Sequence, residues 1–165
     1  MVEVALSGHD TLPGQALAKR AVHISIIALD VPESVLRTCH RILDDAEVGR
    51  ASRFRFDRDR MRWVVARASL RRTLSRYTGM GPEDIRFRAG AHGKPALECE
   101  IARLEFNMSH SAGLALIAVT RLAPVGVDIE RVQNIADMDT IISSQFSSRE
   151  RAQIGRMSPA DRLNA

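Results

Sequence analysis

The sequence predicts an α+β fold, in which a small antiparallel sheet packs with one long helix. Three observations predict it. Apolar residues recur at helical spacing across Asp57–Thr78, the longest such pattern in the chain. A run of strand character, Val22–Leu29, precedes it, and several short strand-like runs follow between Leu104 and Glu130. The last two of these are separated only by Arg121–Pro124, a connection of hairpin length and not of crossover length.

The chain of 165 residues suits one domain of ordinary size with room for a core. Its apolar fraction of 45% is that of a globular protein. No stretch approaches the ~18 apolar residues that a membrane span needs. The N-terminus lacks a basic start followed by an apolar run, so no secretory signal is read. Cys39 and Cys99 match no metal spacing and imply no disulfide framework. They are read as reduced thiols of a cytoplasmic protein. The net charge of +4 conceals an asymmetry: between Arg50 and Arg88, twelve arginines face only Asp57, Asp59, Glu83 and Asp84. Such a stretch attracts polyanions, although arginines also commonly line a solvated helix face.

In chain order, residues 1–20 mix Gly, Pro, Ser and charge without periodicity and are expected to form a loose arm. Val22–Leu29 is a strand, with Val22, Ile24, Ile26 and Ala28 on one face. Pro32 and Glu33 open a short helix to about Leu43, and Asp44 or Asp45 caps another reaching about Phe54. In the long helix Asp57 is the expected N-cap, Asp59 suits the positive end of the dipole, and Gly79 stands where a C′ glycine belongs. Trp63, Ala66, Leu70, Leu74 and Tyr77 form its expected buried face, with Arg58, Arg62, Arg72 and Arg76 largely off it. Trp63 is read as core and not as a stacking platform. Ile85–Arg88 is a brief strand, and Ala89–Pro95 a turn-rich loop.

Residues 104–108 alternate apolar and polar, a half-buried strand ending near Ser109, His110 and Ser111. Leu114–Val119 is a short apolar strand. Val125–Glu130 is a third, in which Asp128 and Glu130 share one face and Val125, Val127 and Ile129 the other. Two carboxylates beside a Ser-His-Ser segment suit a divalent cation and a phosphate ligand, since magnesium takes oxygen ligands and shares them with substrate phosphates. Beyond Glu130, Asp137–Ile142 is helical, Ser147-Ser148-Arg149-Glu150 is a capping box, and Ser158-Pro159 signals a further helix start.

His-Gly-Lys-Pro at 92–95, Phe-Asn-Met-Ser-His-Ser at 106–111, Gly-Val-Asp-Ile-Glu at 126–130 and Phe-Ser-Ser-Arg-Glu at 146–150 occur in an order and spacing that resembles the 4′-phosphopantetheinyl transferases of the Sfp type. The resemblance covers about residues 20 to 165. It implies two similar lobes, each with a small antiparallel sheet and a long helix, and coenzyme A bound between them. Residues 21–123 would be the N-terminal lobe and 124–165 the start of the second. The family's next block, Trp-x-x-Lys-Glu, does not occur in the sequence, so the resemblance implies an incomplete second lobe and weak or no activity of these residues alone.

The implied reaction moves 4′-phosphopantetheine from coenzyme A to a serine of an apo acyl or peptidyl carrier protein, with Mg2+. By the same resemblance Asp128 and Glu130 are catalytic metal ligands, and Ser109 and His110 contact the 3′-phosphate. Lys94 and Pro95 border the adenine and phosphate, and Arg50 and Arg62 lie against the coenzyme phosphates. Glu150 stands at an acidic position just beyond the site, where capping is a sufficient role. His9, His23, His40 and His92 have no such context. A homo-oligomer rebuilding the cleft is conceivable on this reading. Two rival readings are a non-catalytic coenzyme A-binding remnant and a basic nucleic-acid-binding module. The latter ranks last, since no helix-turn-helix, zinc or aromatic-basic signature accompanies the charge.

Overall fold

The computed structural model describes residues 3–7, 21–90, 94–98, 104–133, 136–158 and 161. Two compact units divide the chain, Met1–Ile129 and Glu130–Ala165.

The first unit is built on a four-stranded sheet of order β1-β2-β6-β5. Its strands are β1 (Glu3–Ser7), β2 (Ala21–Ala28), β5 (Glu105–Ser111) and β6 (Leu114–Thr120). β2 and β5 both pair antiparallel with β6, whereas β1 pairs parallel with β2, Glu3 opposite Ala21 and Ser7 opposite Ser25. The expected loose arm is therefore corrected over residues 3–7. The free backbone edge of β2 offers a ladder that needs no hydrophobic periodicity in its partner. A separate hairpin joins β3 (Phe87–Ala89) to β4 (Pro95–Leu97). His92 and Cys99 lie outside the described residues.

The register assigns the two faces of the sheet. Phe106, Met108 and His110 of β5 stand opposite Val119, Ile117 and Ala115 of β6, which in turn meet His23, Ser25 and Ile27 of β2. This is the core face, with Phe106, Ile117, Val119, Ala115 and Ile27 all buried. In β2 the odd-numbered residues thus face the core, and Ile26 is left 43% exposed.

Three helices stand on the core side of the sheet, α1 (Glu33–His40), α2 (Asp45–Ala51) and α3 (Asp57–Thr78), of which α3 packs on β6 and carries the other two. The long helix has the span its sequence predicts and stops at Gly79, whose φ of 74° is left-handed. That is the αL conformation a C-terminal glycine adopts without steric cost. Its N-cap is Phe56, not Asp57; Asp57 is the first helical residue and pairs with Arg60 at 3.1 Å. Ala66, Leu70 and Leu74 are buried as expected, but so are Val64, Val65, Ala68, Arg71 and Thr73. The band is wider than one face because α1 and α2 also pack on this helix. Full burial of Leu70 and Leu74 stabilises the unit by about 1.5–3 kcal/mol each. His23 Nδ1 and the Tyr77 hydroxyl, 2.8 Å apart, join β2 to the end of α3.

The strand predicted at Val125–Glu130 does not form, and with it the predicted hairpin at Arg121–Pro124 is lost. The tight hairpin is instead the β5–β6 connection, where Ala112 takes a φ of 53°. The expected alternation survives without a ladder: Val125, Val127 and Ile129 are half-buried, and Asp128 and Glu130 exposed.

In the second unit α4 (Met138–Gln145) and α5 (Ser148–Ile154) are helical. Ser147 and Glu150 form the predicted capping box, each bonding the other's backbone N–H. The Ser147 hydroxyl and N–H hold the Glu150 carboxyl below its ordinary range. The helix start expected at Ser158-Pro159 falls mainly outside the described residues, although Ser158 Oγ accepts from Asp161 N at 3.2 Å. Among the described residues no helix is long and apolar enough to cross a membrane.

Candidate functional site

α2 begins at a capping box of its own. Asp44 Oδ1 accepts from Glu47 N at 2.9 Å, and the Asp44 N–H donates to Glu47 Oε2 at 3.1 Å. The same two carboxylates meet arginines four residues apart on α3. Arg71, fully buried, donates to Glu47 Oε2 and Asp44 Oδ2, both at 2.7 Å, and to the carbonyls of Pro82 and Ile85 at 3.0 and 2.8 Å. Arg67 donates through Nε to Glu47 Oε1 and lies over the Phe87 ring, 3.8 Å from its centroid. Burial pushes the Arg67 guanidinium down from its ordinary range, and Glu47 opposes that shift. Each buried charge therefore has a partner, which is the condition for burying it at all.

Above this floor opens a cleft of about 460 Å3, lined from α2, α3, β5 and the β3–β4 hairpin, within the range of small-molecule sites. Four residues predicted from the sequence, Arg50, Lys94, Pro95 and His110, come together in its wall. Arg50 sits over the Trp63 ring at 5.7 Å, and Trp63 packs against Phe54. Trp63 is half-buried against the core, as expected, yet it also lines the cleft. Asp44 and Glu47 are tied to Arg67 and Arg71, so Arg50 and Lys94 give the wall its surplus of positive charge. Such a wall attracts anions.

The remaining predicted residues lie elsewhere. Arg62 is absent from the cleft lining. It makes a two-pronged ion pair with Asp30, both bonds 2.7 Å, which lowers the Asp30 pKa. Arg67 occupies the place in the cleft that a second arginine was expected to take. Ser109 does not stand at a strand end beside His110. β5 continues to Ser111, so adjacent residues point to opposite faces, His110 to the cleft and Ser109 away from it. Ser109 Oγ donates to Asp128 Oδ1 at 2.6 Å and accepts from Ile129 N at 3.3 Å. Lys94 links the two sides: it lines the cleft while its Nζ donates to the Val125 carbonyl at 2.7 Å.

Asp128 is an exposed oxygen ligand of the kind magnesium takes. Among the described residues no three His, Cys, Asp or Glu side chains converge as a ready-made metal cage. Glu130 is exposed and begins the second unit.

Sequence reasoning missed Glu47, Arg67 and Arg71. The signals were present, in the Asp44-x-x-Glu47 spacing of a capping box and in arginines four apart on one helix. Only the packing of α2 on α3 joins them.

A family model described as 4′-phosphopantetheinyl transferase, N-terminal, matches residues 32–122. Among curated proteins the chain is 36% identical over 140 residues to the 4′-phosphopantetheinyl transferase HetI of Nostoc sp., covering 84% of this chain and 59% of HetI. It is 34% identical over 89 residues to the 4′-phosphopantetheinyl transferase gsp of Aneurinibacillus migulanus, 54% of this chain and 35% of that protein. The 4′-phosphopantetheinyl transferase Sfp of Bacillus subtilis is 32% identical over 84 residues, 51% of this chain and 37% of Sfp. The chain thus spans about three fifths of the length of HetI and little more than a third of the other two. The family match nevertheless takes in more than half of the chain, from α1 through β6 and the whole wall of the cleft, and the chain belongs to the 4′-phosphopantetheinyl transferase family.

Proposed function

We propose that this chain binds coenzyme A through its cleft and serves the transfer of 4′-phosphopantetheine to a serine of an apo acyl or peptidyl carrier protein. The observation that carries the reading is the convergence of Arg50, Lys94, Pro95 and His110, distant in sequence, on one cationic cleft. Arg50 and Lys94 would hold phosphate groups, and an imidazole such as that of His110 suits a phosphate monoester. The Trp63 face beside Arg50 offers a surface for a planar base.

In the reaction proposed, the serine oxygen forms a bond to the coenzyme's β-phosphorus, and the bond to the departing 3′,5′-ADP oxygen breaks. The serine proton is lost to a base. Asp128 and Glu130 would hold Mg2+, whose charge offsets that building on the phosphates. For Glu130 this rests on the Gly126–Glu130 motif. Arg50 and Lys94 orient the diphosphate so that the β-phosphorus is presented to the incoming hydroxyl.

Calorimetry with coenzyme A tests the reading. Binding is expected, with affinity falling about tenfold or more, equivalent to about 1.4 kcal/mol, in each of Arg50→Ala, Lys94→Ala and His110→Ala. Arg62→Ala, outside the cleft, should fall much less. No heat from folded protein, or an equal loss in the Arg62 variant, would overturn the cleft assignment. A mass shift of an apo carrier protein incubated with coenzyme A, Mg2+ and the protein then reports the transfer itself.

A further inference from the structure

The segment Val125–Ile129 should be the next strand of a sheet, yet no ladder forms. Its backbone is held by side chains instead. The Val127 N–H donates to Asn107 Oδ1 at 3.0 Å, and the Ile129 N–H to Ser109 Oγ at 3.3 Å. The partners advance together, two residues at a time, so the segment runs in the same direction as β5. It lies along the side of β5 from which the Asn107 and Ser109 side chains reach it, and Asn107 also borders the cleft. Lys94 Nζ fixes the other end through the Val125 carbonyl. Ala118, which pairs with Asn107 across β5 and β6, is fully buried. Only the oxygen of the Asn107 amide can accept from an N–H, so this bond also fixes which way the amide points.

We infer that Asn107 is a positioning residue for Asp128: with Ser109 and Lys94 it forms a side-chain ladder that sets the direction of the Asp128 carboxylate. The proposal rests on the reading of Asp128 as a magnesium ligand. Asp128 lies between the two anchored amides, and its Oδ1 is taken by Ser109 at 2.6 Å. Among the described residues Oδ2 has no hydrogen-bond partner. Anchoring the neighbours on both sides fixes the backbone at Asp128, and the Ser109 bond fixes the carboxylate plane.

The test pairs hydrogen exchange with magnesium dependence. In metal-free protein Asn107→Leu, which removes the acceptor at similar volume, should speed exchange at the Val127 amide about tenfold or more. Asn107→Asp, which keeps an acceptor oxygen, should leave that amide protected. Ser109→Ala should speed exchange at Ile129. In parallel, the tightening of coenzyme A binding by Mg2+ should be lost in Asp128→Asn and reduced in Asn107→Leu, but not in Glu150→Ala. If Asp128→Asn keeps the full Mg2+ effect, the metal reading fails and the positioning claim falls with it, whatever the exchange shows. If Asp128→Asn loses the effect while Asn107→Leu keeps both the protection and the Mg2+ response, the metal reading stands and the ladder is refuted. Faster exchange in Asn107→Leu with an undiminished Mg2+ response likewise refutes positioning. Should Asn107→Leu not fold, Asn107→Asp and Ser109→Ala decide the exchange arm, and Ser109→Ala decides the Mg2+ arm by the same criterion.

Discussion

Glu47 is 6% exposed and accepts from two guanidinium groups of α3. Removing its charge leaves Arg71, itself fully buried, with less than its complement of acceptors. Breaking one partner out of a buried pair costs about 3–5 kcal/mol, because the survivor stays desolvated. Glu47→Leu is accordingly expected to lower stability by about that amount in chemical denaturation, far more than loss of the exposed Asp57–Arg60 pair, worth up to about 1 kcal/mol. At this scale the sequence was partly legible. Arg50, Lys94 and His110 were picked out by the family resemblance, and the structure brings them to one wall. Which arginine of α3 borders the cleft was not legible. Arg62 and Arg67 are alike in type, and only the positions of Asp30 and Glu47 separate a surface ion pair from a buried one.

Among the elements, α3 was readable to the residue because its stop signal is local: a glycine that can take a φ of 74°. The capping box at Ser147 was readable for the same reason, whereas at Asp44 only a cap was read and the reciprocal bond from Glu47 was missed. The strands near the site were less so. Alternation at Val125–Glu130 marks a segment with one face covered, and a ladder is only one way to cover it. Asn107 and Ser109 supply another, which no periodicity in the segment itself could announce. The β3–β4 hairpin depends on Gly90, whose N–H donates to the Lys94 carbonyl at 2.8 Å. A Cβ at Gly90 would stand 2.4 Å from that same oxygen. The obstacle is backbone, so Gly90→Ala must displace the loop that carries Lys94. The expected result is a loss of about 1–3 kcal/mol, the usual range for overpacking. A weakened Lys94–Val125 bond should accompany it, seen as faster proton exchange of the Lys94 ammonium by NMR.

For the whole molecule, the α+β reading followed from pattern, whereas the side of the sheet that carries the helices did not: the odd-numbered residues of β2 face the core and Ile26 is left exposed. The parallel addition of β1 did not follow from pattern either, since the pairing is set by the register with β2 and not by a periodicity read within residues 1–20. The concentration of arginine between Arg50 and Arg88 divides in two once folded. Arg67 and Arg71 are tied up in ion pairs with Glu47, and Arg50 faces the cleft. The charge available to a ligand is therefore smaller than the sequence count suggests, but it is focused in a concave wall. Anion affinity should fall steeply between 50 mM and 500 mM salt, as the screening length shortens from about 14 Å to about 4 Å. Thermal-shift titrations with coenzyme A at the two ionic strengths measure this, and a salt-independent midpoint shift would contradict it.

Asp44 divides its two oxygens between different tasks. Oδ1 closes the first turn of α2, and Oδ2 receives Arg71 from the middle of α3. The start of one helix and the interior of another thus share a single carboxylate. Damage at either end removes part of what the other end was contributing. The costs of Asp44→Ala and Arg71→Leu will not sum when combined: the double variant should be less impaired than the two single losses added together, by the coupling of about 0.5–3 kcal/mol found for residues in one network.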